Sequence, residues 1–375
     1  MKTLTTLALA ALTVAFAALM ANRCIADDAL PAAPPAPDYS AFTHFYRLPY
    51  ANRKPVDFDH LSSLLVRASI NGGPVRSFDV DTGSVGVIVT ADDVPNIDPS
   101  APAGSILYSS SGIELDGVWT LATVSFPDSR DENGNIATAV VPVLAALQRQ
   151  FHPGAVNGGN RNATTAPVKN PRVHMLGIGF GRGKKPSQEL NPWVNLKPTQ
   201  VAVSGGAMRR GYQITPDGII LGLTAGNVGS GYLFEKLTQR TNAPTTMPAT
   251  VPMALASQKD WNASRGWVTV AGKKQQISSM LIDTGLTNMM LEFQQVTDQS
   301  NIEDGTEMTV TLLSGRLSYS FKTGDAANPL TPKKVTFVHH DGTAVVNTGL
   351  RALARFDYLY DADAGYLGLR PRPNK

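Results

Sequence analysis

The sequence predicts an all-β protein with few short helices, and three features point there. Apolar runs of strand length recur along the chain, punctuated by turn residues, while long stretches of helical periodicity are scarce. Glycine and proline are plentiful, at 33 and 26 residues, which suits many short strands joined by tight connections. The tripeptide Asp-Thr-Gly occurs twice, at residues 81–83 and 283–285, each time closing an apolar strand-like run and preceding another. One such element in each half of a 375-residue chain implies two related lobes, each large enough for its own core.

Composition narrows the function classes. Hydrophobic residues make up 42 % and charged residues 17 %, the balance of a folded rather than a disordered chain. The net charge is only +3 and the basic residues are scattered. Their densest group, Arg182-Gly183-Lys184-Lys185, reads as a solvated turn, so nucleic-acid binding is not expected. Residues 1–26 read as a signal peptide: Lys2 supplies positive charge, 4–21 carry none, and small residues precede Asp27. An uncleaved membrane anchor is the alternative. Cleavage would remove Cys24, the only cysteine, leaving an exported chain without disulfides. That combination suits the periplasm or secretion from a bacterium. The sequons at Asn162 and Asn262 matter only in a eukaryotic secretory route.

Taken in order, 27–55 form an Ala/Pro-rich leader, 56–205 the N-terminal lobe and 206–375 the C-terminal lobe. Residues 64–70 and 75–80 form a hairpin through Asn71-Gly72-Gly73-Pro74. Asp81 then sits where a strand opens into a tight turn, and Gly83 is expected where backbone approaches backbone. Residues 105–126 read as a long hairpin with a small-residue tip near Tyr108, able to lie over a cleft. The segment 140–151 and a polar Asn/Gly-rich loop at 157–170 follow, then a buried strand at 175–180 with glycines that permit close passage of another strand. Residues 195–217 cross between lobes, 219–223 form a buried strand, and 232–239 a short helix. Further strands at 251–256, 267–270 and 276–282 lead into the second Asp-Thr-Gly. A hairpin at 308–321, a short helix at 350–355 and a closing pair at 358–361 and 366–369 complete the chain. Asp79 reads as a solvent-facing charge, and His339-His340-Asp341 as a turn rather than a metal site.

With these pieces in place, residues 61–371 resemble the pepsin-like, bilobal aspartic proteases. The resemblance lies in Asp81-Thr82-Gly83-Ser84, in Asp283-Thr284-Gly285 and in Met175-Leu176-Gly177-Ile178-Gly179 beside the first loop. It extends to Tyr108 in its hairpin and to the closing segment from Phe356 to Leu369. It implies two pseudo-symmetric β-barrel-like lobes around a central cleft. Asp81 and Asp283 would be catalytic, supported by Thr82, Gly83, Ser84, Thr284 and Gly285, with Tyr108 on a flap. Each threonine hydroxyl would bond across to the other loop's backbone. The implied activity is aspartic endopeptidase, acting on polypeptides as a monomer without metal or cofactor and without stable membrane association once the N-terminal segment is removed.

Three departures from the family pattern stand out. No tryptophan occurs in Val85-Gly86-Val87-Ile88-Val89, Leu286 stands where a hydroxyl or small residue is usual, and Asn347-Thr348-Gly349 is polar. They leave room for an alternative, a catalytically weak or inactive pepsin-fold binding protein of the cell envelope. If the pair is catalytic, two adjacent carboxylates share one proton and titrate in two steps. One would activate a water while the other polarises the scissile carbonyl. Loss of the hydroxyl at Leu286 implies that Asp283 lacks a donor unless Thr287 supplies it.

Overall fold

The computed structural model describes residues 32–108, 110–152, 166–182, 188–197, 207–240 and 259–373. The expected signal segment, the strand at 251–256, the lobe boundary at 205–206, residues 157–165 of the polar loop with Asn162, and Gly183 to Lys185 lie outside them. The protein is nearly all β, with 48 % strand and 6 % helix, and two of its sheets curl into half-barrels.

In the first half lie β1 (Tyr46–Leu48), β2 (Leu65–Ile70), β3 (Arg76–Asp81), β4 (Val85–Thr90) and β5 (Ala103–Tyr108). They are followed by β6 (Ile113–Phe126), β7 (Ala137–Phe151), β8 (Val168–Lys169) and β9 (His174–Ile178). The middle of the chain contributes β10 (Arg209–Thr215), β11 (Gly218–Leu223) and β12 (Leu233–Lys236). The second half holds β13 (Ser264–Val270), β14 (Lys273–Leu281), β15 (Met289–Phe293), β16 (Ser300–Asn301) and β17 (Glu307–Leu312). It closes with β18 (Leu317–Lys322), β19 (Val335–His339), β20 (Val345–Asn347), β21 (Phe356–Asp361) and β22 (Tyr366–Pro371).

One eight-stranded sheet contains the order β6-β2-β3-β9-β4-β7, and the other contains β17-β13-β14-β20-β15-β19. The directions match step for step. Two antiparallel pairings are followed by parallel, antiparallel and parallel ones in both sheets. The hairpin turns match too. Asn71 and Gly72 have φ of 48° and 72°, and Ala271 and Gly272 have 47° and 79°, the paired left-handed residues of the tight turn that suits twisted strands. The chain is therefore a structural duplication, and each copy ends its β3 or β14 arm in an Asp-Thr-Gly.

A third sheet, six strands in the order β1-β11-β10-β21-β22-β12, is antiparallel throughout. Its Tyr212 hydroxyl donates to the Ile178 carbonyl at the end of β9 (2.8 Å). Tyr212 also packs edge-on against Trp193, and Phe180 stacks on Tyr360. These aromatic contacts tie the segment beside the first Asp-Thr-Gly loop to the six-stranded sheet. The small Leu350–Ala354 3-10 helix falls where a short helix is expected.

Three local expectations change. The leader at 27–55 is not free of the fold: Tyr39, Tyr46, Leu48 and Tyr50 are buried, and β1 pairs with β11. Alanine and proline dominated the reading of a stretch whose later aromatics anchor it. Residues 232–239 contribute strand β12 rather than a helix, because they pair with the edge of β22. Asp79 is half-buried rather than solvent-facing.

Candidate active site

The two Asp-Thr-Gly loops meet. Thr82 Oγ1 donates to the Ile282 carbonyl (2.6 Å) and accepts from the Thr284 N–H (2.9 Å). Reciprocally, Thr284 Oγ1 donates to the Val80 carbonyl (2.6 Å) and accepts from the Thr82 N–H (3.0 Å). Thr82 and Thr284 are 2 % and 1 % exposed, so this four-bond lock is shielded from competing water. Each hydroxyl uses its donor and acceptor capacity on the opposite loop.

The lock holds Asp81 and Asp283 face to face. A Cβ on Gly83 would fall on the Asp283 carboxylate, and one on Gly285 would meet Asp81 Cγ and Oδ1 at 2.8 Å. Glycine is therefore required at both places, but its neighbour is the opposite carboxylate rather than the expected backbone. Both acids are 5 % exposed. Burial, then the negative charge of Asp81, raise the proton affinity of Asp283 well above the ordinary carboxylate range. That raised affinity belongs to the pair of carboxylates rather than to one of them alone.

The carboxylates are held by unlike partners. Asp81 accepts from the Gly83 N–H (Oδ1, 2.6 Å) and the Ser84 hydroxyl (Oδ2, 2.6 Å). Asp283 accepts from the Gly285 N–H (Oδ1, 2.8 Å) and from Asn347 Nδ2 (Oδ2, 2.6 Å). The donor missing at Leu286 is thus replaced, by Asn347 rather than by Thr287. Asn347 is a site residue that the sequence reading missed. Its position is set by β20, which runs parallel to β14 with Asn347 opposite Leu281. Met175 holds the matching place opposite Asp79 in the first half. An amide in place of an apolar residue, in the same half that loses a hydroxyl, was the available signal.

No protein-family model and no curated protein sequence matches the chain. The reading of the site therefore stands on its geometry.

Tyr108 ends β5 at the tip of the β5–β6 hairpin. Its ring packs with Ile88, Leu115 and Trp119. Ile88 stands where the resemblance calls for a tryptophan, and Trp119, from β6, supplies an indole to the same cluster. The Tyr108 hydroxyl is buried without a hydrogen-bond partner among the described residues. Burial, then the charge of Asp81, push its ionisation up, while nearby Ser84 eases it.

Arg182 was read as part of a solvated turn. It is instead half-buried beyond β9, its Nε donating to the Phe180 carbonyl (3.2 Å). Burial lowers its proton affinity, and the charge of Asp283, more than that of Asp81, opposes the loss. A guanidinium therefore lies within electrostatic reach of the pair. Asp79 is raised by burial and then by Asp81. Farther out, Glu292 on β15 is raised by burial and faces both His340 (3.5 Å) and Arg182. His339 bonds Asp341 (2.8 Å) and the Val296 carbonyl (2.7 Å), as befits a turn. No cluster suited to holding a metal ion occurs among the described residues, and no described helix is long and apolar enough to cross a membrane.

Proposed function

We propose that the protein is an exported aspartic endopeptidase with a pepsin-like bilobal fold, its two lobes being the duplicated halves. The observation that carries the reading is the reciprocal Thr82–Thr284 lock, which presses two buried carboxylates into a proton-sharing pair. The matched sheet order on either side supports the fold. The Tyr108 hairpin reaching toward Asp81 supports a flap that covers a bound polypeptide.

The chemistry follows from one proton between two acids. A water held by the pair loses a proton to the ionised carboxylate as its oxygen attacks the scissile carbonyl carbon. The carbonyl π electrons move onto oxygen, which takes the proton of the neutral carboxyl. Collapse of the tetrahedral species breaks the C–N bond: one of its hydroxyls returns a proton to the ionised carboxylate while the newly protonated carboxyl delivers its proton to the leaving nitrogen. The lock keeps both carboxylates oriented, so no reorganisation is needed at the moment of attack. No metal or cofactor enters the scheme.

The test is cleavage of an unfolded protein between pH 3 and 7 by the chain from residue 27, with and without pepstatin, beside Asp81→Asn. Activity that pepstatin abolishes and Asp81→Asn lacks is expected. Equal cleavage by both forms, or none at any pH, would remove the enzyme reading. That result would favour the rival, a pepsin-fold binding protein of the envelope, toward which Leu286 in the second loop points.

A further inference from the structure

We propose that Arg182 is a specificity-determining residue, whose guanidinium receives a side-chain carboxylate of the bound polypeptide. Chains with aspartate or glutamate close to the scissile bond are therefore preferred. The inference deepens the endopeptidase reading and rests on it for where the cut bond lies.

The guanidinium has donors to spare. Of its five N–H groups, Nε spends one on the Phe180 carbonyl (3.2 Å). Arg182 makes no other hydrogen bond and no ion pair among the described residues. The side chain is nonetheless half-buried. Taking a cation out of water costs free energy that a hydrogen-bonded anion returns. Burial accordingly lowers its proton affinity, opposed by the charges of Asp283, Tyr358, Glu292 and Asp81 in that order.

The backbone sets this cation beside the acid pair. Immediately after β9, the Gly179 N–H donates to the Ser84 carbonyl (2.8 Å), and a Cβ there would meet the Thr82 carbonyl oxygen at 2.4 Å. Arg182 follows three residues later, a reach of at most about 10 Å. An extended polypeptide rises about 3.3 Å per residue, so its carboxylate lies within roughly three residues of the scissile bond. Gly181 fixes the turn in between. Its φ is 64°, and a Cβ on it would come within 2.7 Å of the Trp261 carbonyl oxygen and 2.9 Å of the Ala263 nitrogen. Arg182 is thus delivered against the second half of the chain.

The duplication shows what it meets there. Ile88 pairs with Met175 and Met290 with Asn347, so Ile88 and Met290 occupy matching places. Ile88 packs beneath Tyr108. Glu292, two residues beyond Met290, shares the face of β15 that answers this flap-side face of β4. One wall of the cleft is therefore the apolar cluster of Ile88, Leu115 and Trp119, and the other carries Glu292 and His340 with Arg182 beside them. Glu292 does not neutralise Arg182. Burial raises its own proton affinity, and the cation in contact with it is His340 (3.5 Å). The terminal nitrogens of Arg182 suit a carboxylate, which takes two parallel N–H···O bonds from the planar fork. A glutamine in the same place offers one acceptor and no charge.

The test is digestion of an unfolded protein by the chain from residue 27 at about pH 5.5, where glutamate is ionised. Mass spectrometry of the products should show aspartate or glutamate enriched within three residues of the cuts. A peptide built on a preferred site is then compared with the same peptide carrying glutamine for that glutamate. The ratio of kcat/KM should favour glutamate about tenfold in the wild type. Both peptides meet the same acid pair, so any effect of Arg182 on its titration cancels in the ratio. Arg182→Met should bring the ratio to one or below, because the negative charge of the pair then repels the glutamate. Arg182→Lys, a point charge without the fork, should keep part of the preference. Cuts without acidic enrichment, or a ratio unchanged in Arg182→Met, would overturn the proposal, and the wild-type enrichment decides it even where the variants do not fold. If the wild type cleaves nothing, the protease reading falls separately. Binding of two alanine-based peptides that differ only in a central glutamate or glutamine then tests the site: tighter binding of the glutamate peptide, lost in Arg182→Met, supports it, and equal binding refutes it.

Discussion

Thr284→Val tests the lock on which the site depends. Threonine and valine have nearly the same shape, so the change removes a hydroxyl without opening a cavity. It leaves the Val80 carbonyl and the Thr82 N–H without the partners they have at 2.6 and 3.0 Å. The site is 1 % exposed, so water cannot readily replace either bond. A buried polar group left unsatisfied costs about 1–3 kcal/mol, so the two together should cost about 2–6 kcal/mol. Thr284→Ser is the control, because it keeps the hydroxyl and loses one methyl, a cost of about 1 kcal/mol. Urea unfolding followed by tryptophan fluorescence, with buried Trp193 in the aromatic layer below, gives both midpoints. The valine variant should unfold at clearly lower urea and cleave more slowly, because Asp283 loses its fixed orientation. If the two variants differ by less than about 1 kcal/mol, the hydroxyl bonds do not hold the loops together and the reasoning fails.

Three further outcomes are expected. The buried pair holds a proton more tightly than the unfolded chain, so its stabilising contribution is full below the ordinary carboxylate value of 3.8 and is lost as pH rises through the raised value. Asp283→Asn should therefore gain in urea midpoint over the wild type from pH 4 to pH 7, and parallel pH slopes would contradict the pairing. Arg182→Met removes a cation that favours ionised carboxylates, so the acid limb of activity should move to higher pH; an unchanged limb would show that the guanidinium does not act on the pair. Trp119→Ala empties the small cluster beneath Tyr108, at a cost of about 3–5 kcal/mol, and limited proteolysis should then cut near residues 107–112 far faster than in the wild type.

Much of the fold was legible because its signals are local. Apolar runs mark β2, β3, β6 and β14, and Asn71-Gly72 marks the turn between the first two. The two Asp-Thr-Gly sequences follow matching strands of the two eight-stranded sheets. Strand β12 was misread because an edge strand is specified by its partner, here β22, more than by its own residues. Strand β1 was hidden by the alanines and prolines that precede it, although Tyr46 and Leu48 are as buried as any core residue. Arg182 looked solvated because its near neighbours are glycine and lysine, while its surroundings come from segments far along the chain.

The sequence by itself determined the strand-rich class, the duplicated loops and the candidate acids, since each depends on residues adjacent in the chain. Only the tertiary structure decided what touches the acids. The Asp283 carboxylate reaches Asn347 across 64 residues, and Thr82 grips Thr284 across 202, through pairings that no local pattern encodes. How each carboxylate is held is set by those distant contacts, because a hydrogen bond is worth most where burial excludes water. That exclusion is a property of the folded chain alone.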